Sequence, residues 1–172
     1  AEFMHEFLRN RSRGFAYTPI VASGKNATVL HYIENQEQCR DGELILLDVG
    51  CEYANYASDM SRVVPVNGRF TARQKEIYSA VKRVKDKATK MLVPGAYWKA
   101  YHKEVGKLMT DELLGLGLLD KADVKNQHPD QPAYKKYFMH GTSHHIGLDT
   151  HDYGLLHEPI QANQVFTVEP AI

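Results

Sequence analysis

The chain is short of the features that mark several protein classes. Only two residues are cysteine, Cys39 and Cys51, too few for a disulfide scaffold, and their spacing is not that of a zinc knuckle. No apolar run approaches the ~20 residues that a membrane-spanning helix requires. The opening Ala1-Glu2-Phe3-Met4-His5-Glu6 has no basic segment leading into an apolar one, so no signal peptide is visible. An excess of one charge is missing too. Twenty-one Lys and Arg stand against 21 Asp and Glu, a formal net charge of +0, which argues against a chain built to coat nucleic acid or an anionic membrane. There is no internal repeat and no low-complexity tract. With 43% hydrophobic and 24% charged residues over 172 positions, the composition is that of one globular domain. No nucleic-acid or membrane partner is expected, and the expected location is cytoplasmic.

Residues 1–13 carry Phe3, Phe7 and Leu8 at roughly helical spacing and end before Gly14, as the last turns of a helix do. Thr18–Ser23 and Val29-Leu30-His31-Tyr32 read as short strands around the turn Ser23-Gly24-Lys25-Asn26. Glu43–Val49 is the strongest strand signal, and Tyr56–Val66 its hairpin partner. The period then changes. Thr71-Ala72-Arg73-Gln74 has the form of a capping box, and Ile77, Val81, Val84, Ala88 and Met91 mark one helical face. Pro94-Gly95 stops that helix; a second runs from about Trp98 to the Gly115/Gly117 region. Val165–Val168 returns to β-like sequence. Strands, paired amphipathic helices and strands again predict an α+β domain with an antiparallel sheet. The chain opens without Met and closes inside an apolar run, Phe166–Ile172, and reads as part of something longer.

Four groups of residues can carry chemistry. Asp48 interrupts an apolar strand, where an ionised carboxylate is costly without a partner. In an unbulged hairpin centred between Tyr53 and Ala54, Asp48 would face Asp59 with Cβ atoms about 5 Å apart. Two such charges repel unless a proton or a cation sits between them. The alternative is a bulge that breaks the register and lets each acid find an arginine, with Arg62 available. His140-Gly141-Thr142-Ser143-His144-His145 and Asp149-Thr150-His151-Asp152 place four of the nine histidines in one non-helical segment, suited to metal ligation or proton transfer. Glu169 closes an apolar run and alone would read as a strand-end charge reaching solvent. Together Asp48, Asp59, a histidine of this segment and Glu169 form a mixed N/O set that favours manganese, cobalt, iron or zinc over calcium. Two facing carboxylates can bridge a metal pair about 3.5–4 Å apart.

Leu47-Asp48-Val49-Gly50-Cys51-Glu52-Tyr53, Ser58-Asp59-Met60-Ser61-Arg62, His140–His144, Gly147–Asp152 and Val168-Glu169-Pro170 resemble, in order, the signature of the pita-bread metallopeptidases. Leu30-His31-Tyr32-Ile33-Glu34-Asn35 and Ser143-His144 resemble the aminopeptidase P branch. The resemblance runs from about Gly14 to Ile172. It implies a pita-bread fold, an antiparallel sheet flanked by pairs of amphipathic helices, with residues 14–172 a catalytic domain stopping before its last strands. Residues 1–13 would end a helix linking it to an amino-terminal domain. The implied metal ligands are Asp48, a bridging Asp59, His144 and Glu169. His31 and His151 would flank the substrate, His140 would line its site, and Glu169 would also shuttle protons. Two divalent ions are implied, manganese first and cobalt or zinc as alternatives, with a fifth ligand, a second bridging Glu, beyond Ile172. The second site is then incomplete, and the chain alone is expected to be a weak enzyme. The implied activity is that of a Xaa-Pro aminopeptidase: a metal-bridging hydroxide attacks the bond before proline in peptides with proline at the second position. A homo-oligomer is implied for the longer protein. Two alternatives remain, a prolidase acting on dipeptides and an inactive peptide-binding relative that has lost its metals. The intact ligand positions count against the second.

Overall fold

The computed structural model describes all residues, Ala1–Ile172. They form two compact units, Ala1–Thr71 with His145–Tyr153, and Ala72–His144 with Gly154–Ile172. No helix is long and apolar enough to cross a membrane.

In the first unit, α1 (Glu2–Arg9) leads into β1 (Gly14–Phe15), and Phe7 meets the Phe15 ring edge-on at 5.4 Å. Two three-stranded antiparallel sheets follow. One has the order β1-β4-β5, with β4 at Cys51–Tyr53 and β5 at Tyr56–Ala57; the other is β2-β3-β6, with β2 at Ile20–Ser23, β3 at Leu44–Val49 and β6 at Met60–Pro65. Ile20, Ala22 and Tyr32 form the small core under β2, joined by Ala27 and Leu46.

The expected strand at residues 29–32 does not form. After β2 the backbone tightens into a 3-10 turn, Gly24–Thr28, and the Val29 N–H closes onto the Asn26 carbonyl at 3.0 Å. His31 sits at φ 57°, a left-handed conformation that ends an extended run. Asn35 supplies a substitute for the missing ladder. Its Oδ1 accepts from Val21 N–H at 2.6 Å and its Nδ2 donates to the Pro19 carbonyl at 2.8 Å.

The predicted hairpin is present but turns one residue later than expected. Tyr53 pairs with Tyr56, leaving Ala54 and Asn55 as a two-residue loop with φ of 51° and 73°, the left-handed pair that matches strand twist. Asp48 therefore pairs with Ser61, and Val49 with Met60. The ladder is interrupted at Gly50 and Ser58. Cys51 N–H donates to Ser58 Oγ at 2.9 Å, and a Cβ on Gly50 would fall 1.8 Å from the Ser58 carbonyl oxygen. Only glycine fits that crossing.

The second unit is helical, with α2 (Ala72–Met91), α3 (Trp98–Gly115) and a short α4 (Lys121–Lys125). The face read from sequence is the one that packs. Val84 and Ala88 of α2 meet Trp98, Tyr101, Val105, Met109 and Leu113 of α3 in a core completed by Tyr134, Phe138 and Ile160. Pro94-Gly95 breaks the helices apart, and Gly95 N–H and Ala96 carbonyl both bond to Ile160 at 2.8 Å. At the far end Arg83 grips Glu112 through two nitrogens, at 2.8 and 2.6 Å. That guanidinium holds the Glu112 carboxyl below its usual range, so its contribution to stability is present at neutral pH and is lost in acid. Arg73 donates to the Leu116 carbonyl at 2.8 Å, satisfying a bare acceptor past the end of α3. The predicted strand at Val165–Val168 is an extended segment without a regular ladder. Two backbone bonds tie it to the histidine loop, Thr167 N–H to His144 carbonyl at 3.0 Å and Glu169 N–H to Thr142 carbonyl at 2.9 Å.

Gly106 lets α3 approach Tyr134 closely: a Cβ there would lie 2.5 Å from the ring. Gly106→Ala gains about 1 kcal/mol of helix propensity but must displace a buried aromatic, a cost of about 1–3 kcal/mol. A lower urea midpoint at unchanged m-value is expected; a midpoint at or above that of the wild type would show that the ring moves freely.

Candidate metal centre

Both predicted aspartates lie in the first unit. Because the register is displaced by two residues, Asp59 is the diagonal neighbour of Asp48 across the hairpin and not its direct partner. A displacement by two preserves the face. The acids consequently stay on the same side, and they meet at a third residue. Tyr17 Oη lies 2.6 Å from Asp48 Oδ1 and 3.0 Å from Asp59 Oδ1. Burial first, then the hydrogen bond and charge of Asp48, push the Tyr17 hydroxyl far above its ordinary value. It keeps its proton and donates. One proton shared between two carboxylates leaves most of their lone pairs to other partners. Arg62 does not play the part considered for it. It pairs with Leu47, on the opposite face, and donates to the Ser61 carbonyl at 2.7 Å.

His144 and Glu169 lie together in the second unit. His144 Nε2 is 3.1 Å from Glu169 Oε1, with the side chains 22% and 32% exposed. That separation is a hydrogen-bond distance, and it leaves two potential ligand atoms close enough to share one ion. Thr167 Oγ1 accepts from His144 N–H at 3.0 Å and donates to Glu169 Oε1 at 2.8 Å. The loop is held from behind by α3. Tyr101 Oη bonds Ser143 Oγ at 2.9 Å, and His102 Nδ1 bonds Thr142 Oγ1 at 2.8 Å. Carboxylates gathered on a neutral hydroxyl, and an imidazole at ligand spacing from a third carboxylate, are the donor chemistry of a borderline divalent ion. The residues present fit a metal.

The remaining predicted residues have different settings. His140 in the second unit packs edge-on against Phe138 at 5.0 Å, and its Nδ1 meets the Gly141 carbonyl at 2.8 Å. His31 and His151, in the first unit, are exposed. The loop bearing His151 is folded by Asp152, whose Oδ2 accepts from Leu148 N–H at 3.1 Å and whose Oδ1 accepts from Tyr153 N–H at 2.8 Å. Tyr17, Tyr101, His102 and Thr167 escaped the sequence reading. Each acts through one polar atom on a partner set by the fold. Only the alternation of Thr167 with Glu169 could have drawn attention.

The model of metallopeptidase family M24 matches residues 1–172. The chain is 43% identical to the Xaa-Pro aminopeptidase of Haemophilus influenzae, an alignment covering 100% of this chain and 40% of that protein. It is 42% identical to the Xaa-Pro aminopeptidase of Escherichia coli, over 99% and 39% of the two chains. Among solved structures, proline aminopeptidase P II from Yersinia pestis superposes with a TM-score of 0.90 at 40% identity, covering 97% of this chain and 39% of that one. Zinc-substituted Escherichia coli aminopeptidase P in complex with product gives 0.88 at 41% identity, over 96% and 38%. The chain thus spans about two fifths of the length of these relatives.

The setting of His102 generates a pH prediction. Burial, aided by the charges of Lys135 and His140, holds its pKa below the ordinary histidine value. Below about pH 6.5 the unfolded chain takes up a proton that the folded chain refuses, so stability falls as pH falls through that range. His102→Gln should flatten this dependence between about pH 7 and 5.5, measured as the urea midpoint. Parallel pH profiles for the two proteins would refute it.

Proposed function

The chain belongs to metallopeptidase family M24, with the pita-bread fold of aminopeptidase P, and from that footing we propose that it serves a Xaa-Pro aminopeptidase, releasing the residue that precedes proline at the second position of a peptide. The observation that carries the reading is the convergence of Asp48 and Asp59 on the single Tyr17 hydroxyl. Like charges so arranged gain most from a multivalent cation. Asp48, Asp59, His144 and Glu169 are the proposed ligands, manganese the proposed ion, and cobalt and zinc the substitutes.

A metal of this kind supplies Lewis acidity toward a carbonyl and lowers the pKa of water. The chain's own residues do the rest. Tyr17 holds the Oδ1 atoms of both aspartates through its hydroxyl, fixing the direction in which their other oxygens point. Glu169 carries a proton from the attacking water to the leaving nitrogen of proline, the transfer that an amine leaving group requires. His31 and His151, both exposed, donate to substrate carbonyl oxygens and stabilise the charge that develops on one of them. His140, its ring against Phe138, is the third histidine proposed to line the substrate site. The longer protein is proposed to be a cytoplasmic homo-oligomer. Relatives named as Xaa-Pro aminopeptidases do not favour the dipeptidase or the metal-free reading.

Calorimetry with manganese should show binding that Asp59→Asn and Glu169→Gln each weaken by about tenfold or more. His31→Ala should leave metal binding nearly intact. With manganese present the chain should cleave an Ala-Pro peptide slowly and an Ala-Ala peptide not at all, and His31→Ala should cleave more slowly still. Metal binding indifferent to both ligand substitutions, or equal cleavage of the two peptides, would overturn the assignment.

A further inference from the structure

We propose that Thr167 is a positioning residue whose hydroxyl couples the two ligands of the second unit, fixing the Glu169 carboxylate relative to the His144 ring. The proposal rests on the reading of His144 and Glu169 as metal ligands. The direction of each hydrogen bond follows from chemistry. A backbone N–H can only donate, so His144 N–H occupies a lone pair of Thr167 Oγ1 at 3.0 Å. A carboxylate can only accept, so the hydroxyl proton goes to Glu169 Oε1 at 2.8 Å. The same Oε1 lies 3.1 Å from His144 Nε2. The result is a closed ring in which one hydroxyl joins the main chain of one ligand to the side chain of the other.

Three features make the ring consequential. The terminal torsion of a glutamate is broad and poorly defined on its own, so a hydrogen bond to one oxygen selects the orientation of the carboxylate. The histidine loop cannot drift to accommodate a loose partner, because Tyr101 and His102 hold Ser143 and Thr142 from α3. The two main-chain bonds between residues 142–144 and 167–169 fix the relative height of the segments but leave the glutamate side chain free to rotate. The Thr167 hydroxyl removes that freedom.

Valine and serine separate this role from a merely structural one. Valine keeps the branched shape that suits an extended segment and loses the hydroxyl; serine keeps the hydroxyl and loses a methyl. A positioning role ranks serine above valine in metal affinity, whereas a packing role ranks valine above serine. Manganese affinity is measured by calorimetry on the wild-type chain, Thr167→Val and Thr167→Ser, with the metal-free melting temperature recorded for each. Thr167→Val should bind manganese about 10–100-fold more weakly than the wild type, and Thr167→Ser within about threefold. The metal-free melting temperatures should not follow that order. If Thr167→Val fails to fold, Thr167→Ala takes its place with the same expectation. Wild-type affinity in the hydroxyl-free variant, or equal losses in the serine variant, would overturn the proposal while leaving the ligand assignment standing. A wild-type chain that takes up no manganese would remove the ligand assignment, and this role with it.

Discussion

A single phenol proton shared by two carboxylates is the constraint on which the first unit depends. Asp48 lies in β3 and Asp59 in the break between β5 and β6 across the hairpin, and Tyr17 reaches them from the segment between β1 and β2. Three stretches far apart in sequence must therefore be in register together. The hairpin supplies that register through its left-handed turn at Ala54-Asn55 and through the place where Ser58 replaces a ladder bond with its side chain. The cost of gathering acids is offset by the aliphatic pairings of β3 with β2 and β6 on either side.

The second unit solves the complementary problem, holding an imidazole and a carboxylate on segments with almost no regular structure. Its answer is a rigid back wall. The core between α2 and α3 fully encloses Val84, Val105, Met109 and Leu113. The first turns of α3 then project Tyr101 and His102 toward the histidine loop. The loop takes its order from a helix, much as a loop in a scaffolded site does.

Much of this was legible in the sequence because periodicity reports burial directly. The sequence pattern starts α3 at about Trp98 and ends it in the Gly115/Gly117 region, where the helix ends at Gly115, and it marks the packed face of α2 by the spacing of Val84 and Ala88. The hairpin shows why a partly wrong reading can still place a site. The turn was put one residue early, but that error moves every partner by two, and side chains alternate with period two, so Asp48 and Asp59 kept their common face. The failed strand at residues 29–32 has the opposite lesson. Val29 and Leu30 suit a strand, yet both are more than half exposed, and Asn35 meets the β2 edge with a side-chain amide that no pattern of hydrophobicity reveals. Tyr17 and Thr167 were illegible for a related reason. A hydroxyl carries no periodic signature, and the partners of Tyr17 lie 31 and 42 residues away.

The crossing at Gly50 has an evolutionary corollary. Position 50 carries no side chain, and that absence is what lets the Ser58 carbonyl approach the backbone there. Any replacement would force Gly50 and Ser58 apart, two residues from Asp48 and one from Asp59. Across a saturation library selected for function, this position should tolerate as little change as the acids themselves, and a reader scoring intolerance alone would mistake an empty space for a ligand.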